Sequence, residues 1–134
     1  MARGYWIGHV DVSDAEGYKS YQAANAKAFR KYGGRFLVRA GASEQPEGKL
    51  RFRHVIIEFK DYPTALACYR SPEYAAAMEK RKGKGELDLA IVEGYEGAQA
   101  SKIVRGSFVQ LLGVIVASLA AGAAIFYLFV GRLL

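Results

Sequence analysis

Between Gly106 and Gly131 the chain runs for 26 consecutive residues without a charged side chain, and no other feature constrains its folding as much. As a helix rising about 1.5 Å per residue, such a stretch is about 39 Å long, against roughly 30 Å for the hydrocarbon core of a bilayer. A buried helix of a soluble domain usually carries a polar stripe, whereas the polar side chains here are only Ser107, Gln110, Ser118 and Tyr127. The pattern predicts a single transmembrane helix over 106–131, preceded by a linker over 98–105 and followed by a short tail over 132–134.

The charges divide the chain at the same place. All 13 acidic residues lie at or before Glu96, and 18 of the 19 basic residues lie at or before Arg105. The net charge of +6 and the 51% hydrophobic content therefore describe two objects joined end to end. Neither is a disordered polar tail, and one cysteine excludes a disulfide scaffold or a multi-cysteine metal site. The opening residues, MARGYWIGHVDVSD, reach Asp11 without an apolar run, so no secretory signal is expected and the amino-terminal domain is placed in the cytoplasm. Lys102 and Arg105 flank the span on that side, which sets the orientation in a bacterial cytoplasmic (inner) membrane with the carboxyl terminus beyond it. The topology is then tail-anchored. Within the span, Gly113, Ala117 and Ala121, and likewise Ser118 and Gly122, recur four apart and offer faces for a second helix.

Residues 1–97 alternate strand and helix patterns. Tyr5 to Val12 reads as a strand with Tyr5, Ile7 and His9 on one face and Trp6, Val10 and Val12 on the other. Ser13 to Glu16 fits a capping box, in which the Ser13 hydroxyl and the Glu16 carboxylate satisfy free backbone donors of a helix start. Tyr18, Tyr21, Asn25, Ala28, Phe29 and Tyr32 then fall at helical spacing, and Gly33-Gly34 ends the helix. A strand over 35–39, a turn over 41–48 and a strand over 51–59 make a hairpin, with Phe36 and Val38 opposing Leu37. Asp61-Tyr62-Pro63 opens a second helix that Ser71-Pro72-Glu73 restarts with a new cap, and Leu87 to Val92 gives a fourth strand. Strand, helix, strand, strand, helix, strand folds as a ferredoxin-like βαββαβ unit, a four-stranded antiparallel sheet with the helices on one face. The other face also carries apolar groups and so calls for a partner, such as a homodimer through the sheet face.

These residues resemble the domain-of-unknown-function 1330 family. The resemblance rests on Tyr5-Trp6-Ile7, on Tyr32 to Arg39, on Ile57-Glu58-Phe59, on Ala65-Leu66-Ala67 and on Tyr69 to Tyr74, and it covers about residues 3 to 96. It implies a ferredoxin-like protomer of a dimeric α/β barrel. The relatives in that superfamily include cofactor-free monooxygenases, small-ring isomerases and haem-binding members, while the family itself has no settled activity. The chain departs from the pattern at Cys68 and in its added membrane helix.

The polar residues on otherwise apolar strands are His9, Arg39, His54 and Glu58, and the family pattern has Arg39 and Glu58 at matching positions. A histidine could carry a proton while an arginine held an anion; alternatively Arg39 and Glu58 form a structural ion pair. Cys68 reads as a packing residue. No metal-ligand spacing, cofactor motif or phosphate cradle is found, and the basic run Lys80 to Lys84 lacks the interleaved aromatics of a nucleic-acid site. Two functions of different class follow. The sequence favours a non-catalytic accessory or assembly subunit, docked through its helix to a respiratory or photosynthetic membrane complex. The alternative is a membrane-tethered cofactor-free enzyme or small-molecule binder that uses the barrel cavity.

Overall fold

The computed structural model describes residues 1–101, in which Met1–Tyr95 form one compact unit. Seven elements follow in order: β1 (Gly4–Val12), α1 (Ala15–Tyr32), β2 (Arg35–Arg39), β3 (Arg53–Phe59), α2 (Tyr62–Tyr69), α3 (Pro72–Arg81) and β4 (Gly85–Glu93). The sheet order is β2-β3-β1-β4, with every neighbouring pair antiparallel. This is the ferredoxin-like arrangement, with its second helix divided into α2 and α3 as the Ser71-Pro72 signal implied. Among the described residues no helix is long and apolar enough to cross a membrane. The expected span over 106–131 lies outside them, as do Lys102, Arg105 and the small residues Gly113, Ala117, Ser118, Ala121 and Gly122.

Local chemistry accounts for the boundaries and corrects one of them. The N-cap of α1 is Asp14, whose carboxylate accepts from the Gly17 N–H at 3.0 Å, and not Ser13. The Ser13 and Asp14 N–H groups both donate to the Lys84 carbonyl, at 2.9 and 3.2 Å, so the chain is still a loop tied to the start of β4 at Ser13. Glu16 does not reach back; it pairs with Lys19 at 2.8 Å. The helix ends at Gly33 in the left-handed conformation, φ 70°, which glycine adopts without the Cβ penalty. Asp61 and Ser71 cap α2 and α3, each with a proline in the first turn. Helix α3 runs to Arg81, so the basic stretch from Lys80 begins as helix and becomes loop only afterwards.

Period-two alternation sends Trp6, Gly8 and Val10 of β1, Val55, Ile57 and Phe59 of β3, and Leu87, Leu89 and Ile91 of β4 toward the helices. Trp6 is the hub. Its ring lies 4.9 to 5.8 Å from those of Phe29 of α1, Phe59 of β3, Tyr69 of α2 and Tyr74 of α3, and its Nε1–H donates to the Ala65 carbonyl at 2.8 Å. Tyr21 and Tyr74 share a buried hydroxyl contact of 2.7 Å, closed by Arg81, which donates to both at 3.2 and 2.9 Å. Burial satisfied in this way ties the end of α3 to α1.

Strand β2 departs from simple alternation. A bulge between Phe36 and Val38 puts Phe36 opposite Ile57 but Val38 opposite Ile56. Phe36 therefore faces the helices, where it packs on Phe29, and Val38 turns to the open side of the sheet, so the two do not share a face as simple alternation would have it. The extra residue at Leu37 also returns Arg39 to the helix-covered side, opposite Val55.

Several carboxylates outside the core are held below their ordinary values. The Phe52 N–H and then Arg51 act on Asp11, the Thr64 side chain and N–H on Asp61, and Lys31 on Glu73. A carboxyl with a depressed native value contributes stability that is present at neutral pH and is lost as the pH falls through that value. The melting temperature is therefore expected to decline once the pH drops below the ordinary values of 3.8 for Asp and 4.5 for Glu. Thermal melts across an acid series check this.

Candidate ligand cavity

Between the sheet and α1 lies a cavity of about 50 Å³. Its walls are mainly apolar, from Trp6, Phe29, Phe36, Val55, Leu87 and Leu89, and its polar residues are Tyr18, Tyr21, Gln22, Asn25, Arg39, Arg53 and Tyr74. Val10 and Arg53 also border an open groove beside the β2–β3 turn, which also includes Ala40, Ser43 and Phe52. Cavity and groove thus have these two residues as a common border.

The cavity's electrostatics are one-sided. No Asp, Glu, His or Cys lines it. Arg53 enters because period two places it on the same face of β3 as Val55 and Ile57. Its Nε is buried and has no hydrogen-bond partner. Leaving a buried donor unpaired costs about 1–3 kcal/mol, and more where the group is charged. Arg39 comes in through the bulge, its guanidinium 4.4 Å from the centroid of the Phe36 ring. Neither arginine has an ion-pair partner among the described residues. Asn25 is buried on α1, and its side chain makes no hydrogen bond among those residues. Burial, and then the neighbouring Tyr21, pushes the Tyr18 hydroxyl up to about 12, so it stays a neutral donor at physiological pH.

The four residues singled out from sequence do not converge. Arg39 borders the cavity, while His9, His54 and Glu58 occupy the opposite, open face of the sheet. His9 and His54 face each other across β1 and β3 with their Nδ1 atoms 2.8 Å apart, so one ring must donate and the other accept. Glu58 accepts from the Tyr5 hydroxyl at 3.2 Å and pairs with Arg35 at 3.3 Å. The Arg39–Glu58 ion pair thus does not form, because the bulge puts the two on opposite faces. No group of three or more His, Cys, Asp or Glu among the described residues is arranged to hold a metal. Of the polar residues that line the cavity, Tyr18, Tyr21, Gln22, Asn25, Arg53 and Tyr74 stand outside those four; the alternation of β3 was the available signal for Arg53.

Cys68 packs fully buried in the core, and burial pushes its thiol up to about 12. It is expected to resist alkylation by iodoacetamide at pH 8 in the folded protein and to react within minutes once urea unfolds it. Mass spectrometry of the alkylated chain checks this.

The fold has solved counterparts. A protein of unknown function from Rhodopseudomonas palustris superposes with a TM-score of 0.58 at 15% identity, over 72% of this chain and 85% of that one. The methylated form of that protein gives 0.58 at 17% identity, over 73% and 84%. SnoaB, a cofactor-independent oxygenase from Streptomyces nogalater, gives 0.49 at 12% identity, over 75% and 97%. At such identities the likeness concerns the fold alone. No curated protein matches the sequence. The model of the family "Domain of unknown function (DUF1330)" matches residues 3–95, and the chain belongs to that family.

Proposed function

We propose that residues 1–95 are a small-molecule-binding module, held at the cytoplasmic face of a membrane by a transmembrane helix over 106–131. The observation that carries the binding role is the cavity between the sheet and α1, with two arginines and no acidic residue in its lining. Mainly apolar walls with a few polar groups are the usual make-up of a ligand site. The lining supplies hydrogen-bond donors and no Asp, Glu, His or Cys, a make-up that favours recognition. The anchor rests on the charge-free stretch and on Lys102 and Arg105 beside it.

A second reading, an accessory subunit of a larger membrane complex, draws on the small residues spaced four apart in that stretch and on the open sheet face. Ile7, Ile56 and Val38 lie side by side there, with Tyr5 and Val92 beyond. A homodimer through this face would cover them.

Ligand-observed NMR with a fragment library, on the full chain in detergent micelles, tests the binding role. Val55→Phe fills the cavity from β3. Fragments that bind the parent protein and are lost in Val55→Phe, with the fold retained by circular dichroism, support the proposal. No binding at all, or binding indifferent to the substitution, overturns it. Native mass spectrometry from mild detergent addresses the second reading, in which another membrane protein stays attached.

A further inference from the structure

Resting on the binding role above, we propose that the cavity takes a small monocarboxylate with a short apolar tail, its carboxylate held by Arg53 and Arg39.

Three features of the cavity converge on this ligand. The first is charge. Two guanidinium groups border a mainly apolar space with no carboxylate among its lining residues. Two like charges beside a low-dielectric cavity favour an anion there, because each gains from it and neither has another counter-ion among the described residues. The second is hydrogen bonding. The Arg53 Nε–H is buried and unpaired, which marks where an acceptor oxygen belongs. A planar guanidinium matches a carboxylate in two parallel bonds, so the ligand's head group follows from the donor's geometry. Tyr18 and Asn25 add neutral donors beside it. The third is size. A cavity of about 50 Å³ holds about three to five atoms the size of a water molecule. A carboxylate takes three of these, leaving room for a short hydrocarbon tail against Phe29, Val55 and Leu89. Inorganic phosphate would leave that apolar wall unused, and a larger acid exceeds the volume.

The test is calorimetric titration of the full chain in detergent micelles with propionate, propionamide, propylamine and inorganic phosphate. The proposal expects propionate to bind at least tenfold more tightly than the other three. Arg53→Gln should erase that preference, and Arg53→Lys, which keeps the charge but loses the fork, should restore only part of it. Melting curves identify a variant that fails to fold; Arg39→Gln, at the exposed margin, then carries the test and should also weaken propionate at least severalfold. Propionamide binding as well as propionate overturns the carboxylate assignment and leaves the cavity a neutral-ligand site. Phosphate binding as well as propionate overturns the apolar-tail assignment. Failure of all four to bind overturns the carboxylate assignment and, if the fragment screen is also blank, the binding role with it.

Discussion

Trp6→Ala is expected to lower the stability of the amino-terminal domain by about 3–5 kcal/mol, the usual range for truncating a buried aromatic. Trp6 is 3% exposed, touches rings on all three helices and on β3, and donates to the Ala65 carbonyl. Its removal leaves a void at the centre of the aromatic cluster and takes away the hydrogen bond that ties β1 to the Ala65 carbonyl of α2. For a domain of this length, 1 kcal/mol corresponds to roughly 4–8 °C in Tm, so a fall of about 15–30 °C is expected. Trp6→Phe keeps most of the ring volume but not the hydrogen bond, and should fall between the two. Far-UV circular dichroism melts of the full chain measure all three.

The second large effect is expected from the smallest residue. Gly4 opens β1, paired with Phe59 on one side and Glu93 on the other. A Cβ built there meets the Asp61 carbonyl oxygen, the Asp61 carbonyl carbon at 2.7 Å and the Tyr62 Cα at 2.8 Å. All three are backbone atoms at the start of α2, so no rotamer change relieves the clash. Either α2 or the first residues of β1 must move, and Gly4→Ala should cost about 2–3 kcal/mol, at the upper end for overpacking. Gly41→Ala is the control. Its Cβ meets nothing within 4 Å and its φ is not positive, so that substitution should change Tm by no more than a few degrees. Equal losses at the two positions would mean that the Gly4 contact does not constrain α2.

The particular residues show which parts of this structure the sequence could reveal. The order of elements was legible because its punctuation is chemical: Gly33 ends α1, Asp61 and Ser71 cap α2 and α3, and prolines stand in both first turns. The buried face of α1, from Tyr18 to Phe29, followed from helical spacing alone. The bulge at Leu37 was not legible, since no glycine or proline marks it and Arg-Phe-Leu-Val-Arg reads equally well as a regular strand. That single inserted residue decides on which side of the sheet Val38 and Arg39 lie, and so it separates Arg39 from Glu58. Period two put His9 on the face of β1 that carries Tyr5 and Ile7, but the pairing of β1 with β3 is what brings His54 and Glu58 to that same face. Which face the helices would cover depends on tertiary packing, and the Trp6 cluster settles it. Arg53 carries no distinct signal of its own in the sequence. A charged residue beside a turn reads as solvated, yet its alternation with Val55, Ile57 and Phe59 commits it to the covered side.

Anion binding in the cavity depends on the buried Nε–H of Arg53. Its signal can be followed by NMR of the ¹⁵N-labelled full chain in micelles, assigned by its absence from Arg53→Lys. On addition of saturating propionate, the Arg53 Nε–H resonance is predicted to move downfield and to slow its exchange with water, while propionamide leaves it in place. A resonance that stays fixed with propionate, or that moves equally with propionamide, would contradict an anion held at this arginine.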